Sequence, residues 1–380
     1  MAAARTIPLE LVTEGARMAR VCNACRYCEG FCAVFPALER RLTFAEADLN
    51  YLANLCHNCG ACLYACQYAP PHEFALNFPE MLARIRGETY KKYAWPGVFA
   101  RLFERNGLVV SLVAALALAA FLIAMSALVD PAVLHAAHPD NTGSFYAVMP
   151  HRVMASTFGA VTLFVLVALG IGMARFWRET GESAGDFFRG ASLQRATSEA
   201  LRLKYLGGSD DDDGCTYPGE RPSLARRRFH HLTFYGFMLC FAATTVAAIY
   251  HYVLGWPAPY PRTSLPVALG VAGGIGLIAG PIGLLWLRAI RDKALTDERQ
   301  TGMDVGFLVL LVLSSISGLA LLVLRETSAM GVLLAVHLAF VMALFLTLPY
   351  GKFVHAIYRF AALVRHSLEQ SRPAPKFLSD

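Results

Sequence analysis

CNACRYCEGFC, residues 22–32, and CHNCGACLYAC, residues 56–66, decide how this chain is read. Each carries four cysteines at the spacing C-x2-C-x2-C-x3-C. The first run holds Cys22, Cys25, Cys28 and Cys32, and the second holds Cys56, Cys59, Cys62 and Cys66. The runs lie 34 residues apart in register and use eight of the ten cysteines. A disulfide framework needs an oxidising compartment, and residues 1–20 lack the long apolar core of a signal peptide. Zinc sites favour pairs of pairs over three ligands at x2 spacing and a fourth at x3.

The spacing is that of the bacterial two-cluster ferredoxins, in which the fourth cysteine of each run ligates the other run's cluster. It predicts one [4Fe–4S] cluster on Cys22, Cys25, Cys28 and Cys66, and a second on Cys56, Cys59, Cys62 and Cys32. Two such clusters in a small domain pass single electrons. Ala33 and Gln67 stand where many ferredoxins have proline, and Pro36 and Pro70 follow a little later. His57 and His72 belong to this domain and are placed to tune the clusters by hydrogen bonding. Cys215 reads as a loop residue and Cys240 as a small packing residue in an apolar helix.

The remainder is apolar. The chain is 56% hydrophobic and 16% charged, far from a soluble domain of its length. Six stretches are long enough to cross a bilayer, which takes about 20 helical residues. They are 107–129, 153–174, 230–254, 265–287, 304–324 and 331–350. The fold class is therefore an N-terminal two-cluster ferredoxin-like domain followed by an all-α bundle of six transmembrane helices. The domains are residues 1–106 for the clusters, 107–366 for the membrane part with a loop at 175–229, and a tail at 367–380.

Lysine and arginine orient the bundle. The connections 130–152, 255–264 and 325–330 hold only Arg152, Arg262 and Arg325. The opposite connection 175–228 holds ten basic residues, and 288–303 holds Arg288, Arg291, Lys293 and Arg299. The basic side is cytoplasmic, and with it both termini and the clusters, in an inner membrane. The net charge of +6 follows from this bias and calls for no nucleic acid. Within 175–228 an amphipathic helix is expected near 186–206, and Asp210 to Asp213 read as a solvated charge run.

Ionisable or metal-binding residues in membrane helices are costly and mark function. His230 and His231 open the third span, and His251 closes it at the outer end. His337 lies near the outer end of the sixth span, and His355 just past its cytoplasmic end. Antiparallel spans bring His230 level with His355, and His251 level with His337. Two level histidines on facing helices suit a bis-histidine haem. His337 and His355 are 18 residues apart, five turns at 3.6 residues per turn. His230 fits the helical phase of His251 better than His231 does. Pro349 is expected to kink the sixth helix. His135, His138 and His151 have no assigned role, and His366 reads as solvated.

HLAFVMALFLTLPYGKFVHAIY, residues 337–358, resembles the haem-bearing helix of the nitrate reductase gamma-subunit superfamily, and HHLTFYGF, residues 230–237, a haem-bearing span of related oxidoreductases. CHNCGACLYACQYAPPHEFALNFPE, residues 56–80, is more distinctive still. With it nearly the whole chain resembles the CitB-domain family of membrane iron–sulfur proteins of tricarballylate utilisation. That resemblance implies a partner, an FAD-dependent dehydrogenase converting tricarballylate to cis-aconitate, whose FADH2 is reoxidised towards the quinone pool. A relative fused to a flavoprotein of a cobalamin pathway implies an alternative partner.

The residues support a relay. No G-x-G-x-x-G follows a strand, and no acid–base constellation suits a small carboxylate. The expected cofactors are two [4Fe–4S] clusters and two b haems, or one, with quinone as acceptor. Tyr250, Tyr252 and Trp256 are candidates for a quinone site, though an interfacial aromatic belt explains them equally well. The alternative direction is quinol oxidation feeding a cytoplasmic reductase. A redox sensor would need an output module, and none is visible.

Overall fold

The apolar runs become helices because a bilayer offers the backbone no other partner for its N–H and C=O groups. The computed structural model describes residues 6–138, 143–208 and 214–373. The aspartate run 210–213 lies outside the described residues. Six helices are long and apolar enough to cross a membrane. They are α6 (Asn106–Leu128), α9 (His151–Glu179), α12 (Ala225–Tyr252), α13 (Leu265–Ala289), α14 (Thr301–Leu324) and α15 (Met330–Thr347). The 23 residues of α6 extend about 35 Å at 1.5 Å per residue, enough for a hydrocarbon core of about 30 Å.

The cysteine domain is helical throughout its described residues. Its elements are α1 (Leu9–Cys25), α2 (Val34–Glu39), α3 (Glu46–Leu55), α4 (Ala61–Tyr64) and α5 (Phe78–Tyr93). Asn77 starts α5 by accepting a hydrogen bond from the Glu80 N–H, and Lys91 and Lys92 sit in its last turn. Cys22 and Cys25 lie in the last turn of α1 and Cys62 in α4, and the other five clustered cysteines lie in the segments between the helices. At the end of α1, Arg26 takes a left-handed conformation, φ 55°, and its N–H returns to the Cys22 carbonyl. That turn reverses the chain between Cys25 and Cys28.

The remaining α-helices are α7 (Pro131–Leu134), α8 (Ser144–Val148), α10 (Ala184–Phe187), α11 (Gly190–Arg202) and α16 (Val354–Gln370). A two-residue hairpin pairs β1 (Cys215–Thr216) with β2 (Pro222–Ser223) antiparallel. The amphipathic helix expected near 186–206 is α11.

Two features corrected the sequence reading. Pro349 does more than kink the sixth helix. α15 stops at Thr347, a 3-10 turn covers Leu348–Tyr350, Gly351 is extended, and α16 begins afresh at Val354. His337 and His355 therefore sit on separate helices, and the five-turn phase does not apply to them. The second feature is α16 itself. It packs against both α11 and the cysteine domain, and His366, beside Tyr205, is 1% exposed and is not solvated. One core unites Tyr93 of α5, Phe176 of α9 and Tyr358 of α16, with ring centres 5.6–5.8 Å apart. The buried Glu369 takes a hydrogen bond from the Tyr51 hydroxyl at 2.9 Å and pairs with Arg41 and Arg365.

Helices α12 and α13 touch along a seam of glycines. A Cβ on Gly280 would lie 2.5 Å from the Thr233 nitrogen, and one on Gly273 2.7 Å from the Cys240 sulfur. Small residues let two backbones close on each other where lipid supplies no hydrophobic drive. Gly236, on this seam, is the one fully buried residue of α12. The helix is thus held by α13, and a cavity opens between α12, α13, α14 and the start of α16.

Candidate functional site

The two cysteine runs interleave in the fold. A cavity of about 240 Å³ is walled by Cys22, Cys25 and Cys28 of the first run and by Cys62 and Cys66 of the second. Burial pushes the Cys22 thiol up to about 12, and the neighbouring Cys66, Cys28 and Cys25 add to it. Burial likewise raises Cys32, and its sulfur neighbours Cys59 and Cys56 add more to this than Cys28 does. Cys66 therefore lies with the first run, and Cys32 with the second. Crowded, buried thiols resist ionisation unless a cation compensates them, which fits iron. Among the described residues no three His, Cys, Asp or Glu side chains close on a single ion. A four-iron cube takes its four sulfurs spread around its corners.

Cross-ligation makes a specific prediction. Cys66→Ala damages the cluster on Cys22, Cys25 and Cys28 and leaves the other closer to intact. Iron analysis and EPR of the reduced variant read this out. Loss confined to the cluster on Cys56, Cys59 and Cys62 would reverse the assignment.

The second cysteine group borders the cavity beside α12. Arg359 donates to the Cys56 carbonyl at 2.5 Å, to the Asn54 carbonyl at 3.2 Å and to Nδ1 of His57 at 3.1 Å. Arg86 also donates to the Cys56 carbonyl, at 2.5 Å. Burial and the charges of Arg359 and Arg226 hold His57 well below the usual histidine range, so it stays neutral. His57 and Arg359 both line the cavity, which has a volume of about 290 Å³.

His230 and His355 face each other across that cavity, with ring centres 6.1 Å apart and planes at 79°. Two imidazoles at that separation would be able to hold one metal ion between them. Nδ1 of His355 donates to the Lys352 carbonyl at 2.6 Å, which leaves Nε2 as the acceptor nitrogen. Nδ1 of His230 is buried without a partner. His231 lies instead near Tyr235, with ring centres 5.6 Å apart.

The lining carries a surplus of positive charge. Arg86, Arg226, Arg288, Arg291, Lys352 and Arg359 face only Asp297 and Asp304. Lys352 reaches Asp304 at 2.6 Å, and Arg288 also pairs with it. The surplus is positive, and a buried surplus calls for anionic groups. The carboxylates of a tetrapyrrole would fit that surplus. These cations escaped the sequence reading, although Arg226 and Arg359 stand one helical turn from His230 and His355.

The outer histidines fare differently. His251 stacks on His151 at 3.7 Å between ring centres, with Tyr146 and Tyr252 around them. His337 is turned towards α14, where its Nδ1 lies 3.1 Å from the Ser314 carbonyl and 3.2 Å from the Ser317 hydroxyl. The described contacts do not bring His251 and His337 together, and His151 had no role in the sequence reading.

A helical cysteine domain on six membrane helices defines a multi-pass membrane protein of the iron–sulfur electron-transfer class. The chain belongs to the citrate utilization protein B family. That family's model matches residues 101–376, and the model of its Fer4-like domain matches residues 15–92, which include all eight clustered cysteines. Citrate utilization protein B of Escherichia coli is 53% identical over 356 residues, covering 94% of this chain and 92% of that protein. No solved structure matches.

Proposed function

We propose that this chain reoxidises the reduced FAD of a partner dehydrogenase and passes the electrons to membrane quinone. The observation that carries the reading is continuity. The cysteine cavity, the second cysteine group, the His57–Arg359 bridge and the His230–His355 pair adjoin without a break. When bound, two [4Fe–4S] clusters and a b haem supply one-electron carriers, which are needed between a two-electron flavin and a quinone. Cys22, Cys25, Cys28 and Cys66 hold the cluster nearer the surface, where Tyr27 is 68% exposed at the cavity rim. Cys56, Cys59, Cys62 and Cys32 hold the inner one. His230 and His355 hold the haem iron, and the surrounding arginines and Lys352 neutralise its carboxylates.

The partner docks on the exposed face of the cysteine domain, with the loop 175–228 on the same side. Its substrate is a tricarboxylate. The family resemblance points to tricarballylate, and the Escherichia coli relative is named for citrate. The purified chain mixed with tricarballylate alone is expected to show no haem reduction. Adding the dehydrogenase with reduced FAD reduces the haem, and a quinone then reoxidises it. Reduction by tricarballylate without the dehydrogenase would overturn the reading.

The cluster domain faces the cytoplasm of an inner-membrane protein, as the basic loops indicate. Thiol or protease labelling from the periplasmic side of intact spheroplasts is expected to miss residues 1–100. Labelling there would reverse both the topology and the electron route.

A further inference from the structure

The two cysteine groups differ in what surrounds them. The cavity of Cys22, Cys25, Cys28 and Cys66 is lined by Tyr27, Phe35, Tyr68, Leu76 and Phe78, and no cationic side chain lines it. Around the other group, Arg86 and Arg359 both donate to the Cys56 carbonyl at 2.5 Å, and Arg226 donates to the Asn58 carbonyl at 2.9 Å. The Asn58 N–H donates to the Cys56 sulfur at 3.2 Å.

A ninth cysteine joins this second group. Cys215 is 1% exposed, and Cys59 packs against it. Its strand lies on the loop that carries Cys59. A Cβ on Gly60 would stand 2.8 Å from the Thr216 carbonyl. The packing sets the Cys215 thiol beside the Cys59 sulfur. The Cys215 sulfur is also 3.8 Å from the Tyr205 carbonyl. One thiol hydrogen serves one acceptor well, and an iron-bound thiolate is the stronger acceptor.

We propose that the Cys215 thiol, donating to Cys59, acts with Arg86, Arg226 and Arg359 to set the potential of the cluster on Cys56, Cys59, Cys62 and Cys32 above that of the cluster on Cys22, Cys25, Cys28 and Cys66. Reduction adds a negative charge to a cluster. Hydrogen bonds to its sulfurs and nearby cations stabilise that charge and raise the potential. The step in potential runs inward, from the exposed cluster to the one beside the His230–His355 cavity. Cys215 is a positioning residue that acts through Cys59 and is not a ligand. This rests on the proposed relay, but it concerns the clusters alone.

The test is an EPR-monitored redox titration of the full-length chain in detergent, with iron and sulfide measured on the same samples. Wild type is expected to show two separated midpoints. Titration of Cys66→Ala assigns the higher one to the inner cluster. Cys215→Ala lowers only that midpoint, at unchanged iron content. Cys215→Ser, which keeps an O–H donor, restores most of the shift. The proposal falls if Cys215→Ala moves neither midpoint or both equally, or if Cys215→Ser shifts as far as Cys215→Ala. Loss of iron from both variants also overturns it, by making Cys215 a ligand or a structural residue. If the midpoints behave as stated but the flavoprotein fails to reduce the chain, the relay reading alone fails. A chain that assembles no iron refutes both.

Discussion

Cys59→Ala is expected to abolish reduction of the haem by the partner's reduced flavin while leaving the haem reducible by dithionite. Cys59 belongs to the inner cysteine group, whose Cys56 carbonyl is tied through Arg359 to His57 at the wall of the histidine cavity. Removing one thiolate from that group would break the proposed relay between the exposed cavity and His355. Dithionite is small and reaches the haem without that route. The measurement is stopped-flow absorbance at the haem bands with each reductant. Flavin-driven reduction is expected to fall to background, and the dithionite difference spectrum to remain. Haem reduction by the flavoprotein at an unchanged rate would mean that electrons bypass the inner cluster, and the order of carriers would be abandoned.

His355→Ala is expected to remove the b-type haem spectrum, and His230→Ala to do the same. Each ring supplies one of two nitrogens at a ring separation of 6.1 Å, and His57, which also lines the cavity, is tied through its Nδ1 to Arg359. His231→Ala retains the spectrum, because that ring lies by Tyr235 outside the pair. His337→Ala also retains it, since His337 is engaged by Ser314 and Ser317. Pyridine haemochrome is expected to give about one haem per chain in the wild type and none in His355→Ala. An unaltered spectrum in both His230→Ala and His355→Ala would refute the ligand pair. Loss of haem in His337→Ala would point to a second site near the outer face.

Much of this was legible in the sequence because the signals are local. Ligand spacing is a covalent property of one segment, so the two cysteine runs could be read directly. Span length is a property of one apolar run, and each of the six observed helices lies within a few residues of its expected bounds. Depth along a span follows from residue count, which placed His230 level with His355 before any contact was known.

Other features depend on segments far apart in the chain. Cys215 looked like a loop residue, since its neighbour Cys59 lies 156 positions away and only packing of the hairpin on α4 joins them. His366 looked solvated, because its burial comes from α16 packing against α11 and Tyr205, far away in the chain. His251 was matched by depth with His337. Depth alone leaves the angular position around the bundle open, and the fold places His251 beside His151. Pro349 announced a bend, but the full break through Gly351, which ends α15 and turns α16 toward the cysteine domain, came from packing. By itself the sequence determined the two cysteine runs and the number of apolar spans, both set by spacing and by solvent. Which cysteine, arginine or histidine stands beside which was decided by tertiary structure alone, because side-chain neighbours across a bundle depend on how helices rotate and close on one another.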